Sequence, residues 1–121
     1  MAAPTIYGRP PALKSFFGPR GEQAYCEWNF APSGQWAAYD FTAYREGRNN
    51  AEVKEPYVRV EDNLTWWTLG ATIGVETGLS WLLGLSAILE EKDGTKSYWA
   101  LAHAGGEPDF HDPGCFAARL A

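Results

Sequence analysis

The stretch that decides the fold is Q-A-Y-C-E-W-N-F, residues 23–30, followed by A-P-S-G, residues 31–34, and Q-W-A-A-Y-D-F, residues 35–41. Apolar and polar side chains alternate through residues 23–30, and this period of two is typical of a strand with one buried face. Alternation resumes in residues 35–41, and proline, serine and glycine between the two segments favour a tight turn. The stretch therefore predicts a β-hairpin.

Strand patterns continue downstream of the hairpin, separated by polar or glycine-containing turns. The polar segment 45–55 predicts an exposed loop. A second hairpin is predicted where Asp93-Gly94 separates two alternating segments. The further strands are predicted at residues 57–60, 64–75, 84–91, 97–103 and about 115–120. About seven short strands without sustained helical periodicity predict an all-β, antiparallel β-sandwich.

The N-terminal residues 1–22 carry Pro4, Pro10, Pro11 and Pro19 among several glycines. These residues interrupt regular structure, so we predict an irregular N-terminal segment at 1–22 and the sandwich domain at 23–121. The sandwich is then incomplete at its N-terminus, and one edge of the strand at 23–30 is left uncovered. Because uncovered edges pair with other chains, this predicts a homo-oligomer formed through that edge.

Length and charge narrow the class of protein further. The chain has 121 residues, which fits one domain, and a net charge of −5 with no basic stripe argues against nucleic acid as a partner. Neither a signal peptide nor a membrane span is expected, because no apolar run is long enough. Without export, Cys26 and Cys115 are expected to be unpaired thiols in a cytoplasmic protein.

Three segments in order resemble the bacterial DOMON-like domain family: residues 25–45, 84–91 and 97–111. Its members resemble sugar-binding modules of the carbohydrate-binding family 9 type and haem-binding DOMON domains. The resemblance implies a β-sandwich whose concave face holds a small ligand. Residues 1–23 depart from the family, whose first strands precede the hairpin.

The first candidate ligand site lies on the predicted hairpin. Glu27 and Asn29 share a strand face, and Trp36, Tyr39 and Arg45 follow in sequence. Sugars pack their C–H faces on aromatic rings and need fixed donors and acceptors for their hydroxyls, so this combination favours a sugar. The alternative is structural: the aromatic rings, with Trp28, fill the core, and Glu27 pairs with an arginine such as Arg45.

The second candidate ligand site combines aromatic, imidazole and carboxylate groups near the C-terminus, and it comprises Tyr98, Trp99, His103, Asp109 and His111. The histidines, with Asp109 and Cys115, have the donor types that zinc uses. No paired ligand spacing is present, so we expect loop-stabilising hydrogen bonds and no metal.

These patterns together predict a non-catalytic domain that binds a carbohydrate or sugar-like metabolite and carries no cofactor. No nucleophile elbow or nucleotide-binding loop is present. Glu27 with Glu90 or Asp109 could imitate the paired carboxylates of a glycosidase, but the sequence does not give their separation. Two alternatives remain: a haem-binding electron-transfer domain, disfavoured because Met1 is the one methionine, and a structural domain that pairs through an open sheet edge.

Overall fold

A computed structural model describes residues 12–62, 67–90 and 93–120. Within these ranges the chain forms β-strands and one 3₁₀ turn at Pro113–Cys115, with no α-helix. The strands are β1 (Ala12–Pro19), β2 (Tyr25–Phe30), β3 (Trp36–Phe41), β4 (Asn49–Asn50), β5 (Tyr57–Asp62), β6 (Trp67–Thr72), β7 (Trp81–Glu90), β8 (Lys96–Ala100) and β9 (Ala118–Leu120). The prediction of an all-β, sandwich-like fold is confirmed.

Two antiparallel sheets make up the fold. The large sheet has the order β4-β3-β2-β1-β7-β8, and β9 pairs with the first residues of β7. The small sheet is the β5–β6 hairpin. Both predicted hairpins are present, β2–β3 around the turn at Gly34 and β7–β8 around Gly94. The predicted loop at 45–55 contains only the two-residue β4.

Strand β1 corrects the prediction that residues 1–22 are irregular. Residues 12–19 form the centre of the large sheet, hydrogen-bonded to β2 on one side and β7 on the other. Pro19 is the last residue of the strand, so it does not interrupt the strand interior. Strand β2 therefore has partners on both sides, and the predicted uncovered edge at residues 23–30 is wrong. The rest of that segment, residues 1–11, lies outside the described residues.

The β5–β6 hairpin covers one face of the large sheet, which we call the hairpin face. Trp28, Phe30 and Phe17 are buried on this face, and Val58 and Leu69 of the hairpin pack against them. Tryptophan and phenylalanine bury large apolar areas, and each fully buried ring stabilises the fold by about 1.5–3 kcal/mol. This contact makes the two-layer arrangement of a sandwich.

The C-terminal segment covers the opposite face, which we call the His111 face. Phe16, Tyr25 and Phe41 are buried there together with Phe110 of the C-terminal segment. Gly84 permits this approach, because a Cβ at that position would lie 3.2 Å from both the Cys115 carbonyl oxygen and a Phe116 ring carbon. Each face of the large sheet thus has a separate apolar core.

Several strand boundaries differ from their predictions. Strand β7 starts three residues earlier than predicted, at Trp81, and β8 ends at Ala100 rather than continuing to residue 103. Of the predicted strand at 64–75, residues 67–72 form β6, while 63–66 lie outside the described residues. The C-terminal strand is shortened to three residues because the 3₁₀ turn precedes it.

Candidate functional site

A polar cluster lies on the His111 face and unites five of the predicted ligand-binding residues. The two candidate sites of the sequence meet here, because the C-terminal segment folds over strand β2. The predicted residues in the cluster are Glu27, Asn29, Arg45, Asp109 and His111. Sequence reasoning placed them in two groups; the fold joins the groups through Tyr25, whose hydroxyl lies 2.7 Å from His111 Nδ1.

Lys14 of β1 engages two of these residues. Its Nζ donates to Glu27 Oε2 at 2.9 Å and to Asn29 Oδ1 at 2.8 Å. The Glu27 residue is only 5% exposed, so its charge is stabilised by this ion pair. The structural alternative, in which Glu27 pairs with an arginine such as Arg45, is right about an ion pair but not about its partner: register places Lys14 opposite Asn29, beside Glu27.

His111 is enclosed by aromatic rings. The ring centroids of Phe16 and Phe41 each lie 5.0 Å from the imidazole centroid, and both rings meet the imidazole edge to face. Burial lowers the pKa of His111, while the Glu27 charge, 3.9 Å from Nε2, acts in the opposite direction. In the neutral tautomer protonated at Nε2, Nδ1 accepts a hydrogen bond from the Tyr25 hydroxyl and Nε2–H lies on the side of Glu27.

The turn between β3 and β4 anchors the edge of the cluster. Arg45 has φ 52°, in the left-handed region that costs a non-glycine residue about 1–3 kcal/mol. Its backbone N–H donates to the Tyr25 hydroxyl at 3.1 Å, and its guanidinium donates to Asp109 at 2.8 Å. Burial opposes ionisation of Asp109, but the hydrogen bonds from Tyr44 and Arg45 prevail and lower its pKa.

A cleft of roughly 460 Å³ lies beside this cluster. Its walls come from the end of β1, the loop into β2, the turn after β3, and the C-terminal segment. The lining side chains include the aromatic rings of Tyr25, Tyr44 and Phe116, the apolar Leu82, Pro19 and Pro113, and the polar Glu22, Gln23 and Glu46. Ligand cavities in proteins commonly measure about 300–1,000 Å³ and combine apolar walls with a few polar groups, and this cleft has both properties.

The hydroxyls of the cleft are held in the protonated form. Burial is the main cause that raises the pKa of Tyr25, and the hydrogen bond to Asp109 raises the pKa of Tyr44. The Tyr44 residue is 46% exposed, so its ring is available at the cleft wall. The cleft therefore offers aromatic faces beside carboxylate and amide groups.

None of the ten predicted ligand-binding residues lines the cleft: five form the adjoining polar cluster, and the other five lie elsewhere. Trp36 is on the hairpin face at a shallow surface depression that it shares with Gly34, Glu55 and Tyr57. Trp99 is 60% exposed on the same face, on β8. On the His111 face, Tyr39 stacks under the Arg48 guanidinium at 4.0 Å, while Tyr98 and His103 contact Phe110. Sequence reasoning expected all five at the ligand.

Of the aromatic residues expected to fill the core, Trp28 is buried and Trp36 is 36% exposed. The strand register explains the difference: Trp28 lies opposite Ala38 and Ser15 inside the sheet, whereas Trp36 is the first residue of β3.

The two thiols lie on opposite sides of the large sheet. Cys26 lies on the hairpin face, where burial and then Asp40 raise its pKa to about 12. Cys115 lies over the opposite face, and its thiol donates to the Asp109 carbonyl at 3.3 Å. In the three ranges that the structure describes, no group of three or more histidine, cysteine, aspartate or glutamate side chains is placed to hold a metal ion.

Three residues important to the site were missed from the sequence. Lys14 was assigned to an irregular segment, although the alternation in residues 13–17 could have revealed a strand. Tyr44 and Phe116 lie in turns without a periodic pattern, so no local signal indicated that they would meet at one cleft.

Comparison with known proteins finds no matching family model, no matching curated protein and no matching solved structure. Among the described residues, no helix has the length and apolar character needed to cross a membrane.

Proposed function

We propose that this protein is a non-catalytic binding domain that takes a small sugar-like ligand in the cleft formed by Tyr25, Tyr44 and Phe116. The observation that carries the proposal is the position of three aromatic rings around a cleft of roughly 460 Å³ whose rim has glutamate and glutamine side chains. Aromatic faces suit the C–H surfaces of a sugar, and the polar rim suits its hydroxyls. The resemblance to the DOMON-like family implies the same class of ligand.

A non-catalytic role is supported by how the neighbouring polar groups are used. Glu27 and Asn29 bind Lys14, and His111 contacts Tyr25 and Glu27. Each of these polar groups has a partner within the protein, and Glu27, Asn29 and His111 do not line the cleft. Two unbridged thiols support the further proposal of a reducing, cytoplasmic location.

Calorimetric titration with glucose, xylose, cellobiose and maltose tests the proposal. At least one of these sugars should bind, and Tyr44→Ala should weaken binding by about 0.5–1.5 kcal/mol beyond the loss of contact area, because a stacking ring is removed. The matched control is Tyr57→Ala, which removes an exposed tyrosine on the hairpin β5–β6.

The proposal is contradicted if Tyr44→Ala and Tyr57→Ala bind as the unmodified protein does. Weakened binding in Trp36→Ala and Tyr57→Ala, but not in Tyr44→Ala, would instead place the ligand at the shallow depression on the hairpin face.

A second candidate function is self-association through the edge of β8. In the described part of the chain no strand pairs with the outer edge of β8, which carries the exposed Trp99 and Tyr98. Leu85, on the neighbouring strand, is also exposed on the hairpin face, so an apolar surface adjoins the unpaired edge. A second copy of the chain fits this edge, because two β8 strands can pair antiparallel to each other.

Sedimentation equilibrium over a concentration series tests this second candidate. The unmodified protein should show a concentration-dependent dimer, and Trp99→Lys should be monomeric because a charge blocks the edge. Tyr57→Lys, at an exposed aromatic position on the other sheet, should dimerise as the unmodified protein does. A monomer at all concentrations would exclude this function.

A further inference from the structure

The charged side chains that line the cleft indicate which charge its ligand should carry. Of the described residues that line it, the charged ones are Glu22 and Glu46, both carboxylates. Neither has a basic side chain within salt-bridge distance among the residues that the structure describes. The cleft is therefore negative as well as aromatic.

The basic residues close to the cleft in the chain, which include Arg20 between Pro19 and Glu22, are not among the residues that line it. Arg45 separates Tyr44 from Glu46; its guanidinium is bound to Asp109 at 2.8 Å and lies over one face of the Tyr44 ring, 5.8 Å from the ring centroid. Lys14 is bound to Glu27 and Asn29. Arg119 lies opposite Leu82 in the β7–β9 register, yet it does not line the cleft. An anionic ligand would thus meet two carboxylates without a cationic group in the lining.

Aromatic rings add a second attraction for a cation. The faces of Tyr and Phe rings carry negative electrostatic potential, and a cation placed over them gains about 0.5–1 kcal/mol at exposed sites. Tyr25 and Tyr44 keep neutral hydroxyls, since burial raises the pKa of the first and the hydrogen bond to Asp109 that of the second. The Tyr44 ring is 46% exposed and is available at the cleft surface, whereas Tyr25 is 6% exposed and packs in the core.

We propose that the ligand of this cleft carries a protonated amine, as an amino sugar does, with its ammonium group near Glu22 and Glu46 and its ring against Tyr44 and Phe116. This inference rests on the proposed function and specifies the class of its ligand. The net charge of −5 adds a weaker, long-range attraction for cations.

Calorimetric titration with three sugars of one ring type tests the charge requirement. Glucosamine, below the pKa of its amine, is the charged probe; glucose and N-acetylglucosamine are its neutral controls. Glucosamine should bind several-fold more tightly than either control, and added salt should reduce this difference because partly exposed charges are screened. Glu22→Gln and Glu46→Gln should each reduce the preference about two- to fivefold, the range expected for an exposed ion pair.

A variant that changes a charge outside the lining distinguishes the effect of the lining carboxylates from the effect of the protein's net charge. Arg119→Gln makes the protein more negative without altering the cleft wall, so it should not lower glucosamine affinity. Equal binding of the three sugars would overturn the charge inference and leave the sugar-binding proposal standing. A preference that survives both glutamate substitutions would also overturn it. Absence of binding by all three sugars and by the neutral sugars tested above would overturn the proposed function itself.

Discussion

His111 shows how one residue connects the two sequence motifs. It was predicted as a ligand-binding residue or as part of a loop held by hydrogen bonds, and the structure places it between Phe16 and Phe41 with Tyr25 at its Nδ1. The imidazole thus links the C-terminal segment to β2, one wall of the cleft. Its ionisable surroundings are Glu27 and Lys14 from the sheet, and Arg45 and Asp109 from the flanking turns.

Burial makes the stability of the fold depend on pH through His111. The folded-state pKa of His111 lies below its ordinary value of 6.5, so the unfolded chain binds more protons as the pH falls. The stabilisation that the neutral His111 side chain gives is fully present above pH 6.5 and is lost as the pH falls through the folded-state pKa. We expect the free energy of unfolding, measured with urea, to decrease from about pH 7 to about pH 5.

Two variants test whether His111 causes the loss of stability at low pH. His111→Gln should lower the overall stability and flatten the decrease, whereas His103→Gln, at an exposed position, should keep it. If His111→Gln loses stability with falling pH as steeply as the unmodified protein, other groups are responsible.

At the scale of elements, sequence patterns predicted the strand positions correctly where apolar and polar residues alternate. Strands β2, β3 and β5 lie where that alternation predicted them. Strand β1 was missed because the prolines around it were taken to interrupt the whole segment, although they lie at its ends. The end of β8 was overestimated, since alternation in residues 101–103 continues past the last ladder pair, Ser86 with Ala100.

The central position of β1 predicts that its buried residues control stability. Phe16 is 1% exposed, and Phe16→Ala should lower the free energy of unfolding by about 3–5 kcal/mol, because it leaves a cavity among Tyr25, Phe41 and Phe110. Leu85→Ala, on the adjacent β7 but exposed, should cost clearly less in the same urea titration. Equal losses for both variants would show that β1 is not buried in the sheet centre.

At the scale of the whole molecule, the cleft arises from segments that are distant in sequence. Its lining comes from Leu82 and from some residues of the segments 18–25, 43–46 and 113–116, and no one of these segments has a recognisable ligand motif. Composition indicated aromatic residues in excess and a negative charge, but only the folded sheet decides which rings share a surface with which carboxylates. The tryptophans expected at the ligand are on the other face for the same reason: strand register determines their direction.

Backbone amide chemical shifts, followed by NMR while glucosamine is added, test the central claim most directly. If the cleft binds this ligand, the shifts that change should belong to residues 18–25, 43–46 and 113–116, and they should approach saturation at one bound molecule per chain. Changes around Gly34, Trp36 and Tyr57 instead would move the site to the hairpin face. An unchanged spectrum with glucosamine, and with its neutral counterparts, would contradict the claim that this cleft is a sugar site.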